Sequence, residues 1–267
     1  MRTFPNDPAG SAGPTDASLA GTASLSSPPL QFAPEHAGFE LVTRGRRGLA
    51  VSLIAQDIVD LDSGEAVSRR VRRIIRHTGG EAGLNLFGRG TLEGADLRRI
   101  DLQTLRIGLD LLRRTPGLTG VLPVFWRTLA TSHGRFALLY AGTNDETRPA
   151  GLSMEIMGGT ETSRLDAVAD VIEQFQSGPI GMILHAAPDI GIIRHAAATR
   201  ASCLCLDFAG VDHLSPEGKA EARDLIATAR RVAPTVLLVN LRPDWAPAAH
   251  EAGATHAVFA PMEPLSL

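Results

Sequence analysis

A cluster of arginines offers the most direct chemistry in the sequence. Five of them fall between positions 69 and 76, at 69, 70, 72, 73 and 76. If this segment is a strand, Arg70 and Arg72 share one face, and their guanidinium groups could hold a phosphate. If it is a helix, the arginines form a solvated face beside an apolar stripe. The sequence leaves three roles open: ion pairs, a protein or nucleic-acid contact, and an anion pocket.

Glu155 is the acid with the most unusual setting, because it lies in an otherwise apolar stretch, Leu152–Met157. A carboxylate buried in such a strand needs a cationic partner, since an unpaired buried charge is costly. Arg70 or Arg72 on a neighbouring strand would supply that charge. We therefore predict a structural salt bridge at Glu155, with a functional role as the alternative.

Two further groups contain side chains that bind metals in other proteins. Cys203 and Cys205 share one face of a strand if that strand is regular, but cysteine is among the most buried residue types, so we expect core packing. His185, Asp189 and His195 follow a predicted strand end, where barrels place their sites. Because no second carboxylate lies nearby in sequence, we expect caps or surface positions for them and no metal site.

Composition limits the classes of function. Lys219 is the only lysine among the 26 basic residues of the 267-residue chain, so chemistry that needs a lysine elsewhere is excluded. The net charge of -3 gives no overall nucleic-acid signal. The start lacks the apolar run of a signal peptide, and no stretch approaches the roughly 18 to 20 apolar residues of a membrane span. We therefore expect a cytoplasmic protein.

The elements that must position these side chains follow from hydrophobic patterns. Residues 1–34, rich in Pro, Ser, Ala and Gly, are predicted to be a disordered tail before one α/β domain over 35–267. Short apolar runs predict strands, and helical periodicity predicts helices between them, including one over Asp96–Arg114. The predicted strands are Leu49–Val59, Phe136–Ala141, Leu152–Met157, Gly181–Ala186, Ser202–Phe208, Thr235–Asn240 and His256–Ala260. This alternation indicates a parallel sheet covered on its outer face, and the number of strands suits a single (β/α)8-type barrel better than an open sheet.

The order of several short motifs is similar to that of a known family. The run Ala55-Gln56-Asp57-Ile58-Val59-Asp60, with Gly64 after it, resembles the opening of EAL domains, the barrel family that hydrolyses the bacterial second messenger cyclic di-GMP. Leu152–Ile156 resembles the family's Leu-Glu-Leu-Glu-Ile strand, and Leu204–Asp207 falls where Leu-Lys-Ile-Asp is expected. The resemblance covers residues 38 to 262 and implies a barrel of the EAL kind.

The residues that hold metal in that family are mostly replaced in this sequence. The glutamate of Glu-Ala-Leu falls on Arg70, in Arg70-Val71-Arg72, and the lysine before Asp207 is Cys205. The remaining positions fall on Tyr140, Gly158, His185-Ala186, and Val239 or Asn240. Asp207 alone keeps an acidic ligand, and one carboxylate cannot hold two hard divalent cations. The resemblance is therefore to a degenerate EAL domain that lacks the catalytic motif residues.

Together these features predict a catalytically inactive signalling module, not an enzyme, that acts as a regulatory or scaffold protein through an unknown protein partner. One alternative is an effector that binds cyclic di-GMP, or another anionic ligand, without metal. Another is an active cyclic-di-GMP-specific phosphodiesterase with rearranged ligands. A homodimer is a further option, and no nucleic-acid partner, metal or cofactor is predicted. The predicted ligand-binding residues are Gln56, Arg70, Arg72, Glu155 and Asp207.

Overall fold

The computed structural model of the chain describes residues 36–78, 92–115, 117–143, 151–160, 163–212 and 215–261. The tail predicted over 1–34 lies outside these ranges, so the division of the chain at residue 35 stays a prediction. The strands within them are His36–Val42 (β1), Gly48–Asp60 (β2), Ala66–His77 (β3), Thr119–Phe125 (β4), Leu152–Met157 (β5), Gly181–Ala186 (β6), Cys203–Asp207 (β7), Thr235–Leu241 (β8) and His256–Phe259 (β9).

Helices connect most of these strands. They are Gly94–Arg113 (α1), Trp126–Leu129 (α2), Ser132–Thr143 (α3), Leu165–Gln176 (α4), Ile190–Ala196 (α5), Pro216–Val232 (α6) and Ala246–Glu251 (α7). Short 3₁₀ turns follow α5 and precede α7. No helix within the described ranges is both long enough and apolar enough to cross a membrane.

The sheet closes into a barrel. Strands β2 to β9 pair in sequence order, and β2 also pairs with β9. The strands from β3 to β9 are parallel, and the helices that link them supply the crossovers that parallel strands require. Within the described residues β1 pairs with β2 alone and stands outside the ring. The predicted α/β barrel is confirmed.

The first strand of the ring, β2, runs antiparallel to both of its neighbours. Residues 61–65 alone separate β2 from β3, and so short a link makes a hairpin, since a crossover needs a dozen residues or more. Gly64 has a φ of 72°, a left-handed conformation that glycine adopts without strain. This hairpin sets the register in which Gln56 pairs with Arg70.

Apolar side chains pack on both faces of the sheet. The larger core lies between the sheet and the helices, and a smaller cluster fills the inside of the barrel. Cys205 belongs to the inner cluster and Cys203 packs against it, which confirms core packing for both. The inner cluster consists of Ile58, Val121, Ile183, Cys205, Leu237, Val239 and Val258.

Most of the predicted elements are confirmed. Leu152–Met157 and Gly181–Ala186 are strands with the predicted bounds. The helix expected over Asp96–Arg114 is α1, which begins two residues earlier and ends one residue earlier. The arginine cluster lies on a strand, β3, and not on a helix.

The strand predicted over Phe136–Ala141 is wrong, because these residues lie in α3. Gly134, Leu138 and Gly142 are buried, and their four-residue spacing is that of one helix face. Two large apolar side chains on the opposite face, Phe136 and Tyr140, are 67% and 62% exposed. They make the run apolar all round, which concealed the helical period.

A buried ion pair joins α1 to the barrel. Arg73 Nη1 lies 2.7 Å from Asp101 Oδ1, with 4% and 0% of the two side chains exposed. The same carboxylate accepts a hydrogen bond from the backbone N–H of Phe125. The Arg73 guanidinium also lies 3.9 Å from the centre of the Phe125 ring. Asp101 therefore ties α1 to β3 and β4 at once.

We predict that Asp101→Ala lowers the free energy of unfolding by about 3–5 kcal/mol, because Arg73 would stay buried without its partner. Asp110→Ala on the same helix is the control, since Asp110 is 60% exposed and pairs with Arg113. An exposed pair of this kind contributes less than about 1 kcal/mol. Urea denaturation measures both variants, and equal losses would contradict the role assigned to Asp101.

Candidate functional site

A fully buried carboxylate, Glu155, lies inside the barrel on β5. Arg70 of β3 donates to both of its oxygens, from Nε to Oε2 at 2.6 Å and from Nη2 to Oε1 at 3.0 Å. Arg70 Nη1 also donates to Gln56 Oε1 at 3.3 Å. Strand β4 lies between β3 and β5, and the long arginine side chain bridges it. The salt bridge predicted for Glu155 is confirmed, with Arg70 as the partner.

Each member of this pair keeps the other ionised. Burial opposes ionisation of Glu155, but the Arg70 charge and the hydrogen bonds from His185 and Arg70 outweigh it and hold the pKa of Glu155 well below its ordinary value of 4.5. Burial also opposes the charge on Arg70, yet the Glu155 charge raises the pKa of Arg70 above its ordinary value. The two charges therefore form a neutral unit inside the barrel.

His185, at the end of β6, completes the group around Glu155. Its Nδ1 lies 2.8 Å from Glu155 Oε1, and 17% of its side chain is exposed. An ionised carboxylate only accepts hydrogen bonds, so Nδ1 carries the proton in this contact. Within the described ranges no hydrogen bond reaches Nε2, and the ring lines a cavity. Glu155 thus fixes the tautomer of the ring.

This cavity, which we call the mouth cavity, has a volume of about 530 Å³ and opens at the C-terminal ends of the barrel strands. Arg72 lines it and is half-buried. It lies two residues past the last pair that β3 makes with β4. Among the described residues no carboxylate pairs with Arg72. The polar lining residues are Arg70, Arg72, Arg73, His185, Asp207 and Asn240.

Asp207 lies on the opposite wall, because β3 and β7 are four strands apart in a ring of eight. Its Oδ1 accepts hydrogen bonds from Asn240 Nδ2 at 2.7 Å and from the backbone N–H of Ala209 at 2.9 Å. Asn240 has a φ of 58°, and β8 shifts its register at this residue. Such a bulge redirects a side chain, and asparagine tolerates the left-handed conformation better than most residues.

One group of side chains has ligand atoms close enough together to hold a metal ion, all within 4.8 Å of one another. The group consists of Glu155, His185 and Cys205. They do not fit the hard divalent cations that EAL catalysis implies, since those take oxygen ligands and the only carboxylate of the three is held by Arg70. Burial raises the pKa of the Cys205 thiol well above its ordinary value, so the thiolate that softer metals require is disfavoured. No metal site forms at these residues while Arg70 holds Glu155.

The structure brings together most of the residues singled out from the sequence. Gln56, Arg70 and Glu155 form one hydrogen-bonded group, and Arg72 and Asp207 line the mouth cavity. Their role in ligand binding stays a prediction. Tyr140, placed at a ligand position by the family resemblance, is on α3 and far more exposed than a mouth residue. That placement is wrong because the strand that follows β3 is β4, and no strand was predicted there from the sequence.

The three residues grouped around the end of β6 in the sequence, His185, Asp189 and His195, have different positions. Asp189 caps α5 and accepts a hydrogen bond from the backbone N–H of Ile192, as expected. His195 is exposed, also as expected. His185 is neither a cap nor a surface residue, so that expectation is wrong. The period of two along β6 could have shown this, because it places His185 on the same inward face as Ile183.

Comparison with known proteins identifies the fold. No family model matches the chain, and no curated protein matches it. Solved structures do match, among them an EAL domain protein from Listeria monocytogenes at 10% identity and a TM-score of 0.58, over 78% of this chain and 85% of that one. The PaMucR phosphodiesterase, in complex with cyclic di-GMP, matches at 14% identity and a TM-score of 0.59, over 78% and 89%.

A third match is the YkuI protein of Bacillus subtilis, whose EAL domain is bound to its substrate cyclic di-GMP and to calcium. The identity is 15% and the TM-score 0.59, over 77% of this chain and 53% of that one. At such identities the likeness establishes the fold. The chain therefore has the barrel fold of EAL domain proteins.

The expectation that the chain is not an enzyme is wrong. It rested on the loss of metal-binding carboxylates alone. The structures that share the fold include a phosphodiesterase and an EAL domain bound to its substrate. The inside of the barrel also brings Glu155 and Cys205 next to His185, and such side chains act in acid–base chemistry. The lost carboxylates therefore do not exclude an enzyme.

The depressed pKa of Glu155 leads to a test of the buried pair. The stabilisation from Glu155 is fully present above its ordinary pKa of 4.5 and is lost as the pH falls towards its lower pKa in the folded protein. We predict that Glu155→Gln lowers the free energy of unfolding by about 3–5 kcal/mol at neutral pH, because Arg70 loses its counter-charge. The deficit relative to wild type should shrink below pH 4.5.

Glu173→Gln is the control, because Glu173 is an exposed acid on α4. It should change the unfolding free energy little at any pH. Chemical denaturation across a pH series measures all three proteins. A deficit of Glu155→Gln that stays constant from neutral pH to well below pH 4.5 would contradict the ionised pair.

Proposed function

We propose that the mouth cavity binds an anionic phosphodiester ligand without a divalent cation, and that cyclic di-GMP is that ligand. The observation that carries the proposal is Arg72, a half-buried guanidinium on the cavity wall with no carboxylate partner among the described residues. A guanidinium held there without a counter-charge can bind an anionic ligand from solution.

The cavity has the size and the place of a ligand site. Its 530 Å³ fall within the range of about 300–1,000 Å³ typical of small-molecule pockets. It opens at the C-terminal ends of parallel strands, where barrels of this type bind their ligands. Its polar lining residues all lie on strands, which hold their side chains in fixed positions.

The other arginines of the cavity already have partners. Arg70 is bound by Glu155 and Arg73 by Asp101. They support the wall, whereas no hydrogen bond from Arg72 is made within the described residues. A guanidinium binds phosphate oxygens through two parallel hydrogen bonds and needs no metal to do so.

Asp207 on the opposite wall favours a ligand with donors as well as a phosphate. Its Oδ1 is engaged, whereas within the described ranges no hydrogen bond reaches its Oδ2. A guanine base presents two N–H donors on its Watson–Crick edge, which suit a carboxylate. A guanine nucleotide can therefore place a phosphate at Arg72 and a base at Asp207. Cyclic di-GMP, which is bound in several structures of this fold, has both groups.

A regulatory or scaffold role through a protein partner has one observation in its favour. Phe136 and Tyr140 on α3 stack at 6.1 Å between ring centres and are largely exposed. Stacked aromatic side chains of this kind are common at protein interfaces. Two exposed aromatic side chains support a function less strongly than a cavity with several polar lining residues. Ligand binding in the mouth cavity is therefore the function that the geometry supports best.

We predict that Arg72→Ala weakens the binding of cyclic di-GMP by about 10- to 100-fold, the loss expected when charge-assisted hydrogen bonds are removed. Arg76→Ala is the matched control, because Arg76 is an exposed arginine on the same strand that does not line the cavity. Isothermal titration calorimetry in the presence of EDTA measures both variants and the wild type.

The wild type should bind in EDTA as it does with Mg²⁺. Binding that disappears in EDTA would contradict the metal-free site. Absence of binding at millimolar ligand, or equal losses in Arg72→Ala and Arg76→Ala, would overturn the proposed function itself.

A further inference from the structure

We infer that His185 is a general base that cleaves a ribonucleotide phosphodiester by activating the ligand's own 2′-hydroxyl group. This inference rests on the proposed function, since it requires the ligand to occupy the mouth cavity. It assigns a chemical step to a histidine that ligand binding alone does not need.

The orientation of the His185 ring is the first support. Glu155 accepts the hydrogen bond of Nδ1 at 2.8 Å. In the neutral ring this tautomer leaves the lone pair on Nε2, which has no partner among the described residues. The ring lines the same cavity as Arg72, so the neutral form offers that lone pair as a base.

The surroundings of the ring are the second support. Glu155 is ionised and completely buried, because Arg70 neutralises it. A carboxylate behind a histidine fixes the tautomer and stabilises the imidazolium that forms when the ring accepts a proton. Among the described residues His185 is the one histidine that lines the mouth cavity, so the step is assigned to this ring.

The poor fit of the site to divalent metal ions is the third support. Water is a weak nucleophile, and hydrolysis in EAL domains relies on metal ions to activate it. Glu155, His185 and Cys205 do not fit those ions. A ribose 2′-hydroxyl beside the phosphorus avoids this need, since neighbouring groups in one molecule react as if at about 10⁵–10⁸ M. Arg72 would stabilise the charge that develops on the phosphoryl oxygens.

The step balances without a co-reactant. His185 Nε2 takes the proton of the 2′-hydroxyl, and the 2′ oxygen forms a bond to phosphorus. The bond from phosphorus to the 5′ oxygen of the next nucleotide breaks. That oxygen takes a proton from water at the open mouth, and the hydroxide so formed takes the proton back from the imidazolium. The ring of a cyclic dinucleotide opens to a linear isomer with a 2′,3′-cyclic phosphate.

The test incubates the full chain with cyclic di-GMP and, separately, with its 2′-deoxy analogue, both in EDTA. Chromatography with mass spectrometry should show a linear product of unchanged mass from the ribose form and none from the deoxy form. His185→Asn should lower the rate by at least about 100-fold, the usual contribution of a general base, while calorimetric affinity changes by a few fold. His133→Asn, at an exposed histidine on α3, should keep the wild-type rate.

Added imidazole provides a readout that a structural role would not move. It should restore part of the rate to His185→Ala, because free imidazole can occupy the vacated space and accept the proton. Tight binding of cyclic di-GMP with no conversion would overturn this inference and leave the proposed function standing. A product that has gained one water would overturn the 2′-hydroxyl route, and absence of binding would overturn both proposals.

Discussion

The inside of the barrel holds a charge because Arg70 and Glu155 neutralise each other there. Glu155 is fully buried, and a single carboxylate in that position would be too costly to keep ionised. The pair dictates several other features of the structure. Gln56 lies opposite Arg70 and accepts a hydrogen bond from Nη1, the nitrogen that Glu155 does not bind, and His185 contacts Glu155 Oε1. The other buried side chains that cluster inside the barrel are apolar or cysteines.

Side chains alternate between the two faces of β3, so the arginines of the cluster have different surroundings. Arg70 and Arg72 face inward, one paired and one at the opening, whereas Arg69 and Arg73 face the helices and pair with Asp57 and Asp101. A cluster that looks uniform in sequence is therefore divided by the period of two in a strand. The same alternation makes Arg72 different from its neighbours, because it alone is directed to the cavity without a carboxylate partner in the described residues.

The parts of the fold that were predictable from sequence are those with local signals. The β5 and β6 runs are short, apolar and bounded by turns, and both were predicted with their observed bounds. The need of Glu155 for an arginine also follows from local sequence. The choice of Arg70 over Arg72 depends on register between strands that are far apart in the chain. The alternation along β6 could have shown that His185 faces inward, but its contact with Glu155 could not be predicted locally, since the two residues are 30 positions apart. The family resemblance gave the barrel, but it misplaced one strand, because Tyr140 and Phe136 conceal a helix.

The hairpin of β2 and β3 also bears on the order of folding. Gln56 and Arg70 are 14 residues apart, whereas Arg70 and Glu155 are 85 apart. Contacts between close neighbours in sequence form early, since the loop that must close is short, and distant ones form late. The separations in sequence therefore favour formation of the β2–β3 hairpin before β5 docks against it. In that order Arg70 stays in water until the step that also brings the carboxylate of Glu155. The cation and its counter-charge are then buried together.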